Sequence, residues 1–135
     1  MRPLATAALT ALLGAVLLNA IACGPSPTLT RVEDEVFKPS CTFSACHSAM
    51  TPQKGLDLTG KTHAKLVGVV ALEKPSMKLV EAGNPDASYV MDKLLKRNIP
   101  TSTVEAITEM PPGLLLEQER LTLVKDWISA GALDN

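Results

Sequence analysis

The apolar positions fall into a helical rhythm most clearly near the end of the chain. Between Glu117 and Ala130, Leu121, Val124, Trp127 and Ile128 share one face of a predicted amphipathic helix. Gly131 then stands where a helix end favours a left-handed residue. A second helix is predicted within 83–95, where Asn84 or Asp86 can cap the free amides and Val90, Leu94 and Leu95 lie together. His63 to Val70 predicts a shorter helix with Leu66, Val67 and Val70 on one face, stopped by Pro75. Thr30 to Phe37 fits a short helix or an extended lead-in ending at Pro39, and Cys41 to Met50 a short helix or turn. Gly55 to Gly60 alternates and reads as extended. Asn98 to Glu109 is poorly periodic, which predicts a long loop. Met110-Pro-Pro-Gly113 must extend or turn, because each proline restricts the residue before it. The fold class is therefore mostly α, short helices joined by long loops with almost no sheet. Loops of this length need something to order them, usually a cofactor or a disulfide.

The first residues stand outside this pattern. Arg2 precedes an apolar run from Leu4 to Ala22 that is broken only by threonines, Gly14 and Asn19. Positive end, apolar middle and small residues at the cut are the layout of a secretory signal. Ala20-Ile21-Ala22-Cys23 resembles the lipobox of bacterial lipoproteins. That resemblance implies a signal peptide over 1–22, diacylglycerol on Cys23 and membrane attachment through that lipid. A tether over 23–35 would follow, its Gly-Pro-Ser-Pro-Thr suited to a solvated spacer, and then a domain over 36–135. An uncleaved anchor, with roughly 20 apolar residues to span a bilayer, or a signal cut elsewhere are the alternatives. All three place the domain outside the cytoplasm, at the periplasmic or outer-surface face of the cell envelope.

Composition narrows the chemistry. Of the 135 residues, 13 are Lys or Arg and 14 Asp or Glu, and residues 1–22 hold one base and no acid. The mature part thus carries 12 basic against 14 acidic residues, net −2, without the basic footprint of a nucleic-acid partner. Aromatic rings are few: Phe37, Phe43, Tyr89 and Trp127. A core so poor in rings suits one built around a bulky apolar cofactor. If Cys23 carries lipid, the other two of the three cysteines, Cys41 and Cys46, form a pair in an oxidising compartment. Such a pair is expected to be a disulfide or to be covalently engaged elsewhere.

The chemistry centres on Cys41-Thr-Phe-Ser-Ala-Cys46-His47. Attachment of haem c uses two thiols as thioethers and the following histidine as an iron ligand. The ordinary spacing has two residues between the cysteines and this chain has four. Both sulfurs can still face one porphyrin edge if the extra residues bulge outwards. A Cys41–Cys46 disulfide closing a small loop explains the same residues. A zinc site from Cys41, Cys46, His47 and His63 lacks the common structural spacing.

From Phe37 to Ala132 the chain resembles the cytochrome c-like domain of planctomycete and myxobacterial exported proteins. The shared marks are Lys38-Pro-Ser-Cys41 running into Cys46-His47, Gly55-Leu-Asp-Leu58, His63-Ala-Lys-Leu-Val67, Gly83-Asn-Pro-Asp-Ala-Ser-Tyr89, Met110-Pro-Pro-Gly113 and Trp127-Ile-Ser-Ala-Gly-Ala132. The resemblance implies a small domain around one covalent haem c. Cys41 and Cys46 would be its anchors, His47 the proximal iron ligand and Met110 the distal one. Met77 and Met91 are substitutes for Met110, while Met50 lies too near His47 to reach the opposite face. His63 offers a bis-histidine alternative. The implied function is one-electron transfer with redox partner proteins, by a carrier rather than an enzyme. The other function class is a haem-free surface lipoprotein whose disulfide-closed domain is a binding or scaffold module. The lipoprotein reading predicts that Cys23→Ser abolishes incorporation of labelled fatty acid and moves the protein from the detergent phase to the aqueous phase in detergent partitioning.

Overall fold

A computed structural model describes residues 24–101 and 109–135. The signal segment, Cys23 and the centre of the predicted 98–109 loop lie outside the described residues. The described residues form five α-helices: α1 (Leu29–Val32), α2 (Lys38–Ser40), α3 (Thr62–Leu66), α4 (Tyr89–Leu94) and α5 (Gln118–Ser129). Among the described residues there are isolated β-bridges but no strand. None of the helices described is long and apolar enough to cross a membrane.

The 30–37 segment is helical rather than extended. Thr28 caps α1 by accepting from the Arg31 amide, and a π-helical turn (Glu33–Phe37) leads straight into α2. The widening has a local cause. Pro39 has no N–H to give, and its ring would press on the carbonyl four residues earlier in a regular helix. The helix therefore runs through Pro39 instead of ending there, and delivers Cys41. Leu29, Val32, Val36 and Phe37 all enter the core. Among the described residues the core thus begins at Leu29, within the stretch expected to be tether.

The predicted C-terminal helix matches α5. Leu121, Val124, Trp127 and Ile128 are buried along one face, with Leu123 beside them. Gly131 adopts φ +101°, and the Ala132 amide reaches back to the Trp127 carbonyl at 2.9 Å. Trp127 is the largest fully buried side chain, and its indole N–H donates to the Leu133 carbonyl at 2.9 Å. The two ends of the described chain meet, since Leu29 and Thr30 donate their amides to the Asn135 side chain and carbonyl.

Two expected helices come out shorter. The 83–95 segment divides into a 3₁₀ turn (Pro85–Ala87), capped by Asn84, and α4. Ser88 separates them and spends its hydroxyl on the Asn84 carbonyl at 2.8 Å and the Glu81 amide at 2.9 Å. Leu94 is buried as expected, whereas Leu95 turns outwards. The helix expected over 63–70 ends at Leu66. Beyond it Val67 is extended and Gly68 takes φ +77°. Amide and carbonyl groups there pair with 79–80 instead: Gly68 to the Val80 carbonyl at 2.9 Å, and Leu79 to the Val69 carbonyl at 2.6 Å. A Val-Gly-Val-Val run loses little by leaving the helix, because β-branched residues and glycine are poor helix formers. Its valines consequently separate: Val67 packs on the core, while Val70 is exposed.

Removing the Trp127 side chain should leave a void that α5 cannot close. Trp127→Ala is expected to lower stability by about 3–5 kcal/mol, read as a shift in the urea unfolding midpoint at unchanged slope.

Candidate functional site

The segment after α2 folds by local hydrogen bonds into an outward loop. Cys41 is held by its amide to the Phe37 carbonyl at 2.7 Å, and Cys46 turns back to the Phe43 carbonyl at 2.8 Å. The His47 amide then donates to the Cys41 carbonyl at 3.0 Å, closing the loop at its neck. Phe43, Ser44 and Ala45 are exposed. The extra residues between the cysteines therefore point to solvent, while Cys41 and His47 stay together at the base.

The base opens into a cavity of about 380 Å³ that has Cys41, His47 and Met110 in its wall. This volume is in the range of small-molecule and cofactor sites, roughly 300–1,000 Å³. Phe37, Leu58, Leu66, Leu79 and Leu94 form much of the apolar lining, and the exposed Val69, Val70 and Leu72 stand at its rim. The wall draws on the π turn with Cys41, on His47, on the 54–58 stretch, on the region from α3 to Leu79, on α4 and on Met110. Of the described methionines Met110 alone lines the cavity. Met50 is 86 % exposed, Met91 is buried in the core and Met77 borders a separate cleft beside Pro75.

The His47 ring is oriented by backbone. Its Nδ1 lies 3.1 Å from the Leu56 carbonyl oxygen, and the Leu58 amide donates to the His47 carbonyl at 2.9 Å. Because a carbonyl only accepts, the neutral ring carries its proton on Nδ1 and keeps the lone pair on Nε2. A histidine anchored in this way is prepared for a metal, since the partner of the first nitrogen fixes tautomer and direction. His63 is used otherwise: its Nε2 lies 2.9 Å from the Ala132 carbonyl oxygen and ties α3 to the C-terminal segment. Among the described residues no three His, Cys, Asp or Glu side chains gather as a metal-ion site.

Both Cys41 and Cys46 are free thiols, the first buried and the second half-buried and off the cavity wall. Burial, and after it the neighbouring Cys46, pushes the Cys41 thiol up to about 11. Charged groups border the opening. Lys65 lines it and pairs with Asp57 at 2.5 Å; hydrogen bonds from Lys65 and then Thr59 hold that carboxyl down at about 2. Deeper in the wall, Lys93 meets Glu73 at 2.5 Å, and the Tyr89 hydroxyl donates to Glu73 at 3.1 Å. Burial, reinforced by Glu73, raises the Tyr89 pKa, so the phenol remains a proton donor.

Sequence reading missed Glu73, Tyr89 and Lys93 as wall residues. Lys93 stands three residues after Val90 on the face that Val90 and Leu94 share, so its place on the wall was readable. Glu73 sits in an irregular loop, and nothing in the sequence announced it. The Leu56 carbonyl that holds His47 was equally hidden, because any residue offers one.

Comparison with protein families, curated proteins and solved structures finds no match to this chain. The burial difference predicts that, with reductant removed and no haem attached, iodoacetamide at neutral pH modifies Cys46 first. Cys41 is expected to react at least about tenfold more slowly, as the thiolate is the nucleophile, and peptide mass mapping reads the order.

Proposed function

We propose that the chain is an exported, lipid-anchored, mono-haem c-type cytochrome that passes single electrons. The observation that carries this reading is the meeting of His47 and Met110 in one apolar cavity that Cys41 also lines. The donor set suits a haem: a histidine with Nδ1 already engaged, a methionine thioether, and thiols at the cavity base and beside it. Cys41 and Cys46 would each add S–H across a haem vinyl group, a step that needs no oxidant. His47 would offer Nε2 to the iron and Met110 its sulfur. Once bound, the haem supplies the one-electron redox centre, and histidine–methionine ligation favours the reduced iron.

The chain's own residues do the remaining work. The Leu56 carbonyl keeps the imidazole aimed, and Phe37, Leu58, Leu66 and Leu94 exclude water from the cavity. The rim at Val69, Val70 and Leu72 is open, which leaves a side where a redox partner protein can approach. No catalytic role is assigned to any side chain, and the lipid on Cys23 would keep the carrier beside its partners at the membrane surface. The disulfide-closed binding module differs from this reading at one place, the state of Cys41 and Cys46.

The test is export of residues 24–135 behind a cleavable signal in a host with cytochrome maturation proteins. A c-type pyridine haemochrome spectrum, with a mass increase of one haem, is expected. Met110→Ala should keep the haem attached but lower the reduction potential and open the iron to added imidazole. Haem-free protein two hydrogens light, from hosts able to mature the longer cysteine spacing, would establish the disulfide module instead.

A further inference from the structure

The wall opposite apolar Phe37 and Leu58 in character is held by buried charge. Glu73 and Lys74 are neighbours in the loop before Pro75, and Asp92 and Lys93 are neighbours on α4. They pair crosswise: Lys93 Nζ lies 2.5 Å from Glu73 Oε2, and Lys74 Nζ lies 3.0 Å from Asp92 Oδ2. The Glu73 and Asp92 side chains are 9 % and 3 % exposed. Tyr89, one turn earlier on α4, sits beneath both ammonium groups, at 5.9 Å from Lys74 and 5.5 Å from Lys93.

The same cluster fastens the chain on either side of the segment between Asn98 and Glu109. Asp92 Oδ1 accepts from Arg97 Nε at 3.1 Å and from Asn98 Nδ2 at 3.3 Å, and Lys74 also donates to the Asn98 carbonyl at 3.2 Å. Arg97 reaches on to Asp86 at 3.1 Å. Where the chain returns, the Met110 amide donates to the Lys93 carbonyl at 3.1 Å, and Lys96 pairs with Glu109 at 3.7 Å. Burying this much charge is a weak route to stability, since the desolvation cost offsets the attraction; its better-attested use is to select one geometry.

We propose that the crossed pairs Glu73–Lys93 and Lys74–Asp92 form a positioning clasp. They fix the end of α4 so that the Lys93 carbonyl holds Met110 in the cavity wall. Asp92 does not line the cavity and acts through Lys74, Arg97 and Asn98, so it is a positioning residue. The clasp deepens the cytochrome reading, on which it rests for the use of the Met110 sulfur, but the clasp itself needs no haem.

The test is amide hydrogen exchange, resolved to single residues, on the mature chain as isolated. Asp92→Asn removes one charge of the clasp, and Lys74→Gln is the milder change at a half-exposed position. In both variants the Met110 amide should exchange at least about tenfold faster, while Val124 and Trp127 in α5 keep their rates, because local opening need not involve the rest of the domain. Unchanged Met110 exchange overturns the proposal. So does equal acceleration in α5, which marks a merely structural role, or a wild-type Met110 amide without protection. In the haem-loaded chain the variants should keep the attached mass but lose the far-red charge-transfer band of methionine-ligated ferric iron; an undiminished band also overturns it. A wild type that takes up no haem counts against the cytochrome reading alone, with the exchange result still deciding the clasp.

Discussion

Burial against α5 is the interaction on which this domain depends. Helices shorter than about 12–15 residues are marginal alone in water, and four of the five here have six residues or fewer. They persist because each end is fastened to something else. Leu29, Val32 and Val36 join α5 residues in one core, and the C-terminal backbone ties down α1 and α3 through Asn135 and Ala132. Trp127 supplies the largest buried surface at the centre of this arrangement, with its one polar atom satisfied.

A domain made of short pieces leaves room between them, and the cavity is that room. Its walls come from segments far apart in the chain, so its shape follows from how those segments pack together and not from any single element. The residues with chemistry arrive by different routes. Cys41 and His47 are brought together locally, by a loop that spends its own amides on its own carbonyls. Met110 comes from a distant part of the sequence, and its amide donates a hydrogen bond to the Lys93 carbonyl at 3.1 Å. The proposed pairing of His47 with Met110 therefore joins a locally determined residue to one that depends on tertiary structure.

The polar groups are distributed accordingly. His47 takes its direction from the Leu56 carbonyl, whereas α4 takes its direction from charges. At Asp92, burial alone would raise the carboxyl pKa, but hydrogen bonds from Lys74, Asn98 and Arg97 outweigh it and hold the group below its usual range. The charge is therefore kept in a place where an unpaired carboxylate would be costly. Side chains from the 73–74 loop, from α4 and from Arg97–Asn98 must all arrive for this network to close.

Short-range chemistry was legible in the residues. The α5 stripe, its Gly131 terminus, the Asn84 cap, the turn at Met110-Pro-Pro-Gly113 and the nearness of Cys41 to His47 each depend on neighbours within a few positions. The mostly helical, short-element character followed from the same signals. Other features could not be read that way. The π turn carried the first helix past Pro39 by a local widening, and 67–70 left its predicted helix to pair with 78–80, more distant in sequence. The sequence by itself determined which residues carry donor chemistry and which faces are apolar, since side-chain type and local period are properties of the chain. Tertiary structure decided that Met110, the methionine the family resemblance had pointed to, lines the cavity with His47 while Met77 and Met91 do not, and that Glu73 meets Lys93 there. Those outcomes rest on contacts between separate segments, and no local pattern encodes which segment a folded chain will bring to which.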